Sequence, residues 1–70
     1  MHPKAKLGDL NIGDRFYYPG KKDNRWRVTG KVRFNAKAGT ATRLCYWENK
    51  KDTFDKLCSK EVYILPPINK

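Results

Sequence analysis

Four cations, Arg25, Arg27, Lys31 and Arg33, occupy odd positions of residues 25–34, and Trp26, Val28, Val32 and Phe34 occupy even ones. Successive side chains of a β-strand point to opposite faces of its sheet, so this spacing predicts one long strand with an apolar face inward and a cationic face outward. Cations two residues apart on such a face stand about 6.6–6.8 Å from each other, comparable with successive phosphates along an extended nucleic-acid strand. Their chemistry is phosphate neutralisation with release of condensed counterions, which gives affinity with little sequence preference and steep salt dependence. Lys21 and Lys22 in the preceding loop, with Arg15 and Arg43 on neighbouring strands, extend the expected patch. Tyr17, Tyr63 and Trp47 are the expected stacking rings for unpaired bases, at about 1–3 kcal/mol each. The competing role of these rings is core packing, and that of the cations is to solubilise a sheet face.

Other chemistries have few candidates. The one histidine is His2, near the N-terminus, so no serine and neither cysteine has a plausible partner base. Asp9, Asp14, Asp23, Glu48, Asp52, Asp55 and Glu61 fall mostly in turns, where side-chain capping accounts for them. Cys45 and Cys58, thirteen positions apart, and a remote histidine do not match zinc-site spacing. No glycine-rich phosphate loop links a strand to a helix. The sequence therefore predicts a non-enzyme without metal or cofactor. It also predicts reduced cysteines, because a turn at Lys50-Lys51 sets Cys45 opposite Lys56 and Cys58 opposite Arg43. Such diagonal neighbours lie about 7–8 Å apart, too far for a bridge.

The elements that must position these residues are short. Seventy residues make one domain, and a chain of that length buries only about 60% of its unfolded surface. Sixteen Lys and Arg against seven Asp and Glu give a net charge of +9, which favours polyanionic partners. The 13% aromatic content separates the chain from a merely basic tail and predicts a folded core. Residues 1–6 read as a flexible basic arm, 7–65 as the domain and 66–70 as a tail. The absence of an apolar run of about 18 residues, and of an apolar core after the first six, predicts a cytoplasmic protein without a membrane partner.

Within 7–65, residues 7–12 are expected to form a loop or single helical turn over one end of the core. Strands are then expected at 15–18, 25–34, 40–48, 53–58 and 62–65, with a helical turn at 59–61 and Pro66-Pro67 as the stop. Gly30, alone on the apolar side of the second strand, marks a bulge or sharp bend. Five short strands with no amphipathic helix predict an all-β fold, specifically a small five-stranded SH3-like barrel with one short helical turn before its last strand. The oligonucleotide-binding barrel fits less well, since it needs more residues and a helix between its third and fourth strands.

With Gly13-Asp14-Arg15-Phe16 opening the first strand and Trp26-Arg27-Val28 the second, residues 10–65 resemble the Tudor and KOW group of small barrels in their pattern of elements. The resemblance implies an aromatic cage for methylated lysine or arginine, but a +9 domain repels the basic peptides that carry them. The sequence points instead to a monomeric nucleic-acid-binding module. The alternative is a small protein-interaction module, a regulator or inhibitor that docks its basic face on an acidic partner. The two differ in whether the exposed aromatics line the basic strip or form a separate patch.

Overall fold

A computed structural model describes residues 2–66. It is all-β, one open antiparallel sheet of seven strands. These are β1 (Lys4–Lys6), β2 (Arg15–Tyr17), β3 (Trp26–Val28), β4 (Arg33–Asn35), β5 (Thr40–Trp47), β6 (Asp52–Leu57) and β7 (Glu61–Leu65). They are ordered β1-β7-β2-β3-β5-β4, with β6 pairing β5 off that path. β3 and β4 share one edge of β5, pairing respectively with its C-terminal and N-terminal ends, and β6 lines the other. No helix among the described residues is long and apolar enough to cross a membrane.

The expected long strand divides in two, and Gly30 is the reason. The N–H groups of Thr29 and Gly30 both donate to the Leu44 carbonyl at 3.0 Å, and the Thr29 hydroxyl adds a third bond at 3.1 Å. Two residues facing one partner is the arrangement of a bulge. A Cβ on Gly30 would stand 2.9 Å from that of Leu44, so only glycine fits there. β3 ends at Val28, and pairing resumes at Arg33. Inward burial follows the division: Trp26 and Val28 are 5% and 1% exposed, but Val32 and Phe34 are 47% and 71%.

The expected five-stranded closed barrel is likewise corrected to seven strands and an open sheet. Dividing the second strand adds one strand, and Lys4–Lys6, expected in a flexible arm, add another by pairing with β7. The helical turn expected within 7–12 is a 3-10 turn at Leu7–Asp9, whereas the one expected at 59–61 is replaced by a non-helical turn that leads into β7. Backbone bonds from Leu7 N to Lys60 O (2.9 Å) and from Gly8 N to Cys58 O (3.0 Å) tie that 3-10 turn to the β6–β7 connection. Beyond Pro66, the expected tail lies outside the described residues.

The core gathers on the sheet's inner face. Register places Ile64, Phe16, Trp26 and Trp47 in one row across β7, β2, β3 and β5. Phe16, Leu7, Val28, Val62 and Cys45 are fully enclosed, and burial of each of the first four contributes about 1.5–3 kcal/mol. The β5–β6 turn spans 48–51 and sets Arg43 against Lys56 and Cys45 against Phe54. This is two positions from the expected register, because the pairing closes at Trp47–Asp52 with Lys51 at φ 54°. Cys45 and Cys58 are buried free thiols.

Candidate functional site

The outer face carries the cations that the sequence singles out, though not all of them. Register aligns Leu65, Arg15, Arg27, Tyr46 and Thr53 across β7, β2, β3, β5 and β6. Arg27 is half-buried, its guanidinium 5.2 Å from the Tyr46 ring centroid, a cation–π contact that lays it flat on the sheet. Arg25 is exposed just before β3. Arg33 pairs with Thr42, which by alternation shares the face of Tyr46. Lys31, Arg33 and Lys37 are exposed on the segment that leads into and around the β4–β5 hairpin. Residues 24–47 contain no Asp or Glu.

Arg15 lies in the same row but is held internally. Its Nη2 and Nε donate to both carboxylate oxygens of Glu48, at 2.9 and 3.0 Å. The side chains are only 15% and 22% exposed. The hydrogen bond from Arg15 holds the Glu48 carboxyl below its ordinary range; desolvation opposes this, and the charges of Arg15, Arg27 and Arg25 reinforce it. The same bond raises Arg15. A bidentate pair of this kind leaves the guanidinium little capacity for a phosphate.

Arg43 is a correction. It is 4% exposed, and its guanidinium donates to the carbonyls of Gly30 (3.1 Å), Leu7 (3.1 Å), Leu10 (2.7 Å) and, more weakly, Gly8 (3.5 Å). Those bonds join the bulge to the 3-10 turn. Alternation along β5 sets Arg43 on the same inner face as Cys45, where the bulge and the 3-10 turn present their carbonyls to it.

The expected stacking rings are also largely engaged. Tyr17 is buried, its hydroxyl 3.0 Å from His2 Nδ1, and it stacks on Tyr63 at 5.2 Å between centroids. Tyr63 is half-buried, with the Lys4 ammonium 5.9 Å from its centroid. Lys22 lines a small hollow with Tyr17 and Tyr63. Trp47 faces the other way from Tyr46 and lies parallel to Trp26, with centroids 5.1 Å apart.

A second feature was not expected. Tyr18, Trp26, Trp47 and Phe54 line an open groove of about 970 Å³ on the inner face, with Lys21 and Lys60 at its rim. Phe54 is exposed, Tyr18 and Trp47 are half-buried, and Trp26 lies buried at the groove's base. The Lys56 ammonium sits 4.6 Å from the Trp26 centroid and 5.8 and 5.9 Å from those of Phe54 and Tyr18. The ring set that would surround a foreign cation therefore already holds one belonging to the chain. Burial, aided by Cys45, pushes the Tyr18 hydroxyl up to about 12. The groove was missed because it needs two registers together, β3–β5, which pairs Trp26 with Trp47, and β5–β6, which pairs Cys45 with Phe54.

Among the expected site residues, the structure brings Arg25, Arg27 and Arg33 to one face and leaves Lys31 exposed at the bend between β3 and β4. It places Lys21 and Trp47 at the groove, sets Lys22 with Tyr17 and Tyr63, and engages Arg15 and Arg43 internally. No family model, curated protein or solved structure matches this chain.

Proposed function

We propose that the protein binds nucleic acid, mainly through phosphate contacts from Arg25, Arg27, Lys31, Arg33 and Lys37, on an SH3-like barrel left open along one side. The observation that carries this reading is the acid-free run 24–47, which holds the half-buried Arg27 on β3 and four exposed cations, Arg25 before β3, Lys31 between β3 and β4, Arg33 on β4 and Lys37 in the β4–β5 turn. With no carboxylate in the run and Glu48 paired to Arg15, cations outnumber acids on this face, where register also sets Asp55 opposite Leu44, and the net field favours a polyanion. The barrel reading is supported by the order β7-β2-β3-β5-β6 within the sheet. It treats β4 as the continuation of β3 and β1 as an added edge.

The test is fluorescence anisotropy of labelled single-stranded and duplex DNA and RNA over a salt series, beside a variant with Arg25, Arg27, Lys31 and Arg33 all changed to Ala. Each lost phosphate contact lowers the slope of log K against log salt by about 0.7 for single strands and about 0.9 for duplex. The fourfold variant is expected to lose a slope of about 3 if all four cations engage. Absence of binding at low salt would end this reading. A second reading, a protein-interaction module acting on an acidic partner, is favoured by one observation: the aromatic groove lies on the inner face, apart from the cationic strip. In that case nucleic acids of every type fail to bind.

A further inference from the structure

Resting on the nucleic-acid reading, we propose that Phe34 is a stacking platform for an unpaired nucleobase. The ring is 71% exposed, the most exposed large apolar side chain among the described residues. It enters no aromatic pair there, whereas the other two phenylalanines both do. Nothing in the fold uses it: its strand partner is Ala41, whose small side chain leaves room for a flat ring on that side of the ribbon.

The presentation is firm. The Asn35 side-chain oxygen accepts from the N–H groups of Lys37 (3.1 Å) and Ala38 (3.3 Å), and the Gly39 N–H donates to the Asn35 carbonyl at 2.8 Å. Gly39 at φ 67° completes the turn at no steric cost. The hairpin tip is therefore ordered by its own hydrogen bonds.

The charge around the ring selects its ligand. Arg33 lies on the reverse face of the ribbon, Lys37 at its tip and Lys31 before its base, with no carboxylate in 24–47. An apolar ring on a ribbon whose own charged side chains are all cationic disfavours cationic ligands and favours a planar apolar group joined to anions. A nucleobase with its flanking phosphates has that composition. Phe34 lies within the paired part of the ribbon, not at its tip, and so suits a base already unstacked better than a wedge driven into a duplex.

The experiment compares wild type, Phe34→Ala, Phe34→Leu and Phe34→Trp for single-stranded and duplex oligonucleotides of one sequence, by anisotropy over a salt series. Thermal melting checks each fold, which substitutions at so exposed a position are expected to leave intact. Phe34→Ala is expected to weaken single-strand binding about 5- to 150-fold, the range for loss of one stacked base. The salt slope should remain unchanged, because no charge is lost. Phe34→Trp should bind at least as well as wild type, Phe34→Leu should resemble Ala, and duplex binding should be indifferent to all three. Steep salt-dependent binding of wild type with Phe34→Ala equal to it overturns the platform and leaves the phosphate-binding reading intact. So does a loss confined to duplex, or full retention by Phe34→Leu. Failure of wild type to bind any oligonucleotide removes both.

Discussion

Arg43 offers the sharpest separation between a residue that binds a ligand and one that builds the fold. It is 4% exposed, and its guanidinium donates to the carbonyls of Leu7, Leu10 and Gly30 at 2.7–3.1 Å. Truncation to Ala leaves the Leu10 and Gly30 carbonyls without this donor and removes a bond from Leu7, which keeps the Leu10 N–H at 3.3 Å, and a weaker one from Gly8; each unsatisfied group costs about 1–3 kcal/mol. It also relieves the penalty of burying the guanidinium, which is several kcal/mol, so the net loss is expected near 3–5 kcal/mol rather than the full sum. At 0.05–0.15 kcal/mol per residue, a domain of this length is worth about 4–10 kcal/mol in total. The variant should therefore lie close to unfolding at 25 °C. Urea titration followed by tryptophan fluorescence measures this directly. Arg43→Lys, which keeps the charge but cannot reach both the bulge and the 3-10 turn with one planar group, should fall between wild type and Ala. A loss below about 1 kcal/mol in the Ala variant would refute the reasoning. A reduced salt slope for nucleic acid with full stability would return Arg43 to the cationic surface where its sequence position suggested it belonged.

Two further outcomes follow from titrating groups. The folded state lowers the Glu48 carboxyl through its bond with Arg15, so the stability it brings is complete above the ordinary carboxylate value of 4.5 and is lost as pH falls through the folded value. Glu48→Gln should cost about 1–3 kcal/mol at neutral pH and flatten the acid limb of stability; urea midpoints stepped from pH 7 to pH 3 check both, and an unchanged acid limb contradicts the pairing. Burial pushes the Cys45 thiol up to about 11 against an ordinary 9.0, with Arg43 pulling the other way, and raises Cys58 as well. Both thiols should resist a thiol reagent at pH 7.5 until urea unfolds the chain, and stability should decline as pH climbs from 9 towards 11; prompt native-state labelling would contradict this.

How far the sequence revealed the fold depended on which neighbour decided each residue. Trp26 and Val28 were legible because period-two alternation and local β-propensity agree with a buried strand. Val32 and Phe34 continue the same alternation but lie beyond the Gly30 bulge, whose effect comes from the Leu44 carbonyl fourteen positions on. Arg43 reads as one more strand cation, and only the three-dimensional convergence of Leu7, Leu10 and Gly30 on it makes it internal. The aromatic groove depended on a turn register: moving the β5–β6 pairing by two positions changes which residue faces Cys45 from Lys56 to Phe54. Lys4–Lys6 carry no apolar alternation to mark a strand, and β7 recruits them through backbone pairing with Val62 and its neighbours. The cations Arg25, Lys31 and Arg33 were legible as exposed because charge keeps them there without help from any distant partner.

The open sheet also sets the conditions under which the molecule stays single. Among the described residues β6 pairs only with β5, so its outer edge presents free backbone groups, with Phe54 and Leu57 40% and 39% exposed beside them. Such an edge is a template for another chain, and Asp52, Asp55 and Lys56 on the same strand are the charges that discourage it. Mutual repulsion between copies of charge +9 adds a longer-ranged barrier that salt screens beyond roughly one Debye length, about 10 Å at 0.1 M. Raising ionic strength thus acts twice, weakening the phosphate contacts proposed above while allowing the protein's own exposed strands to meet.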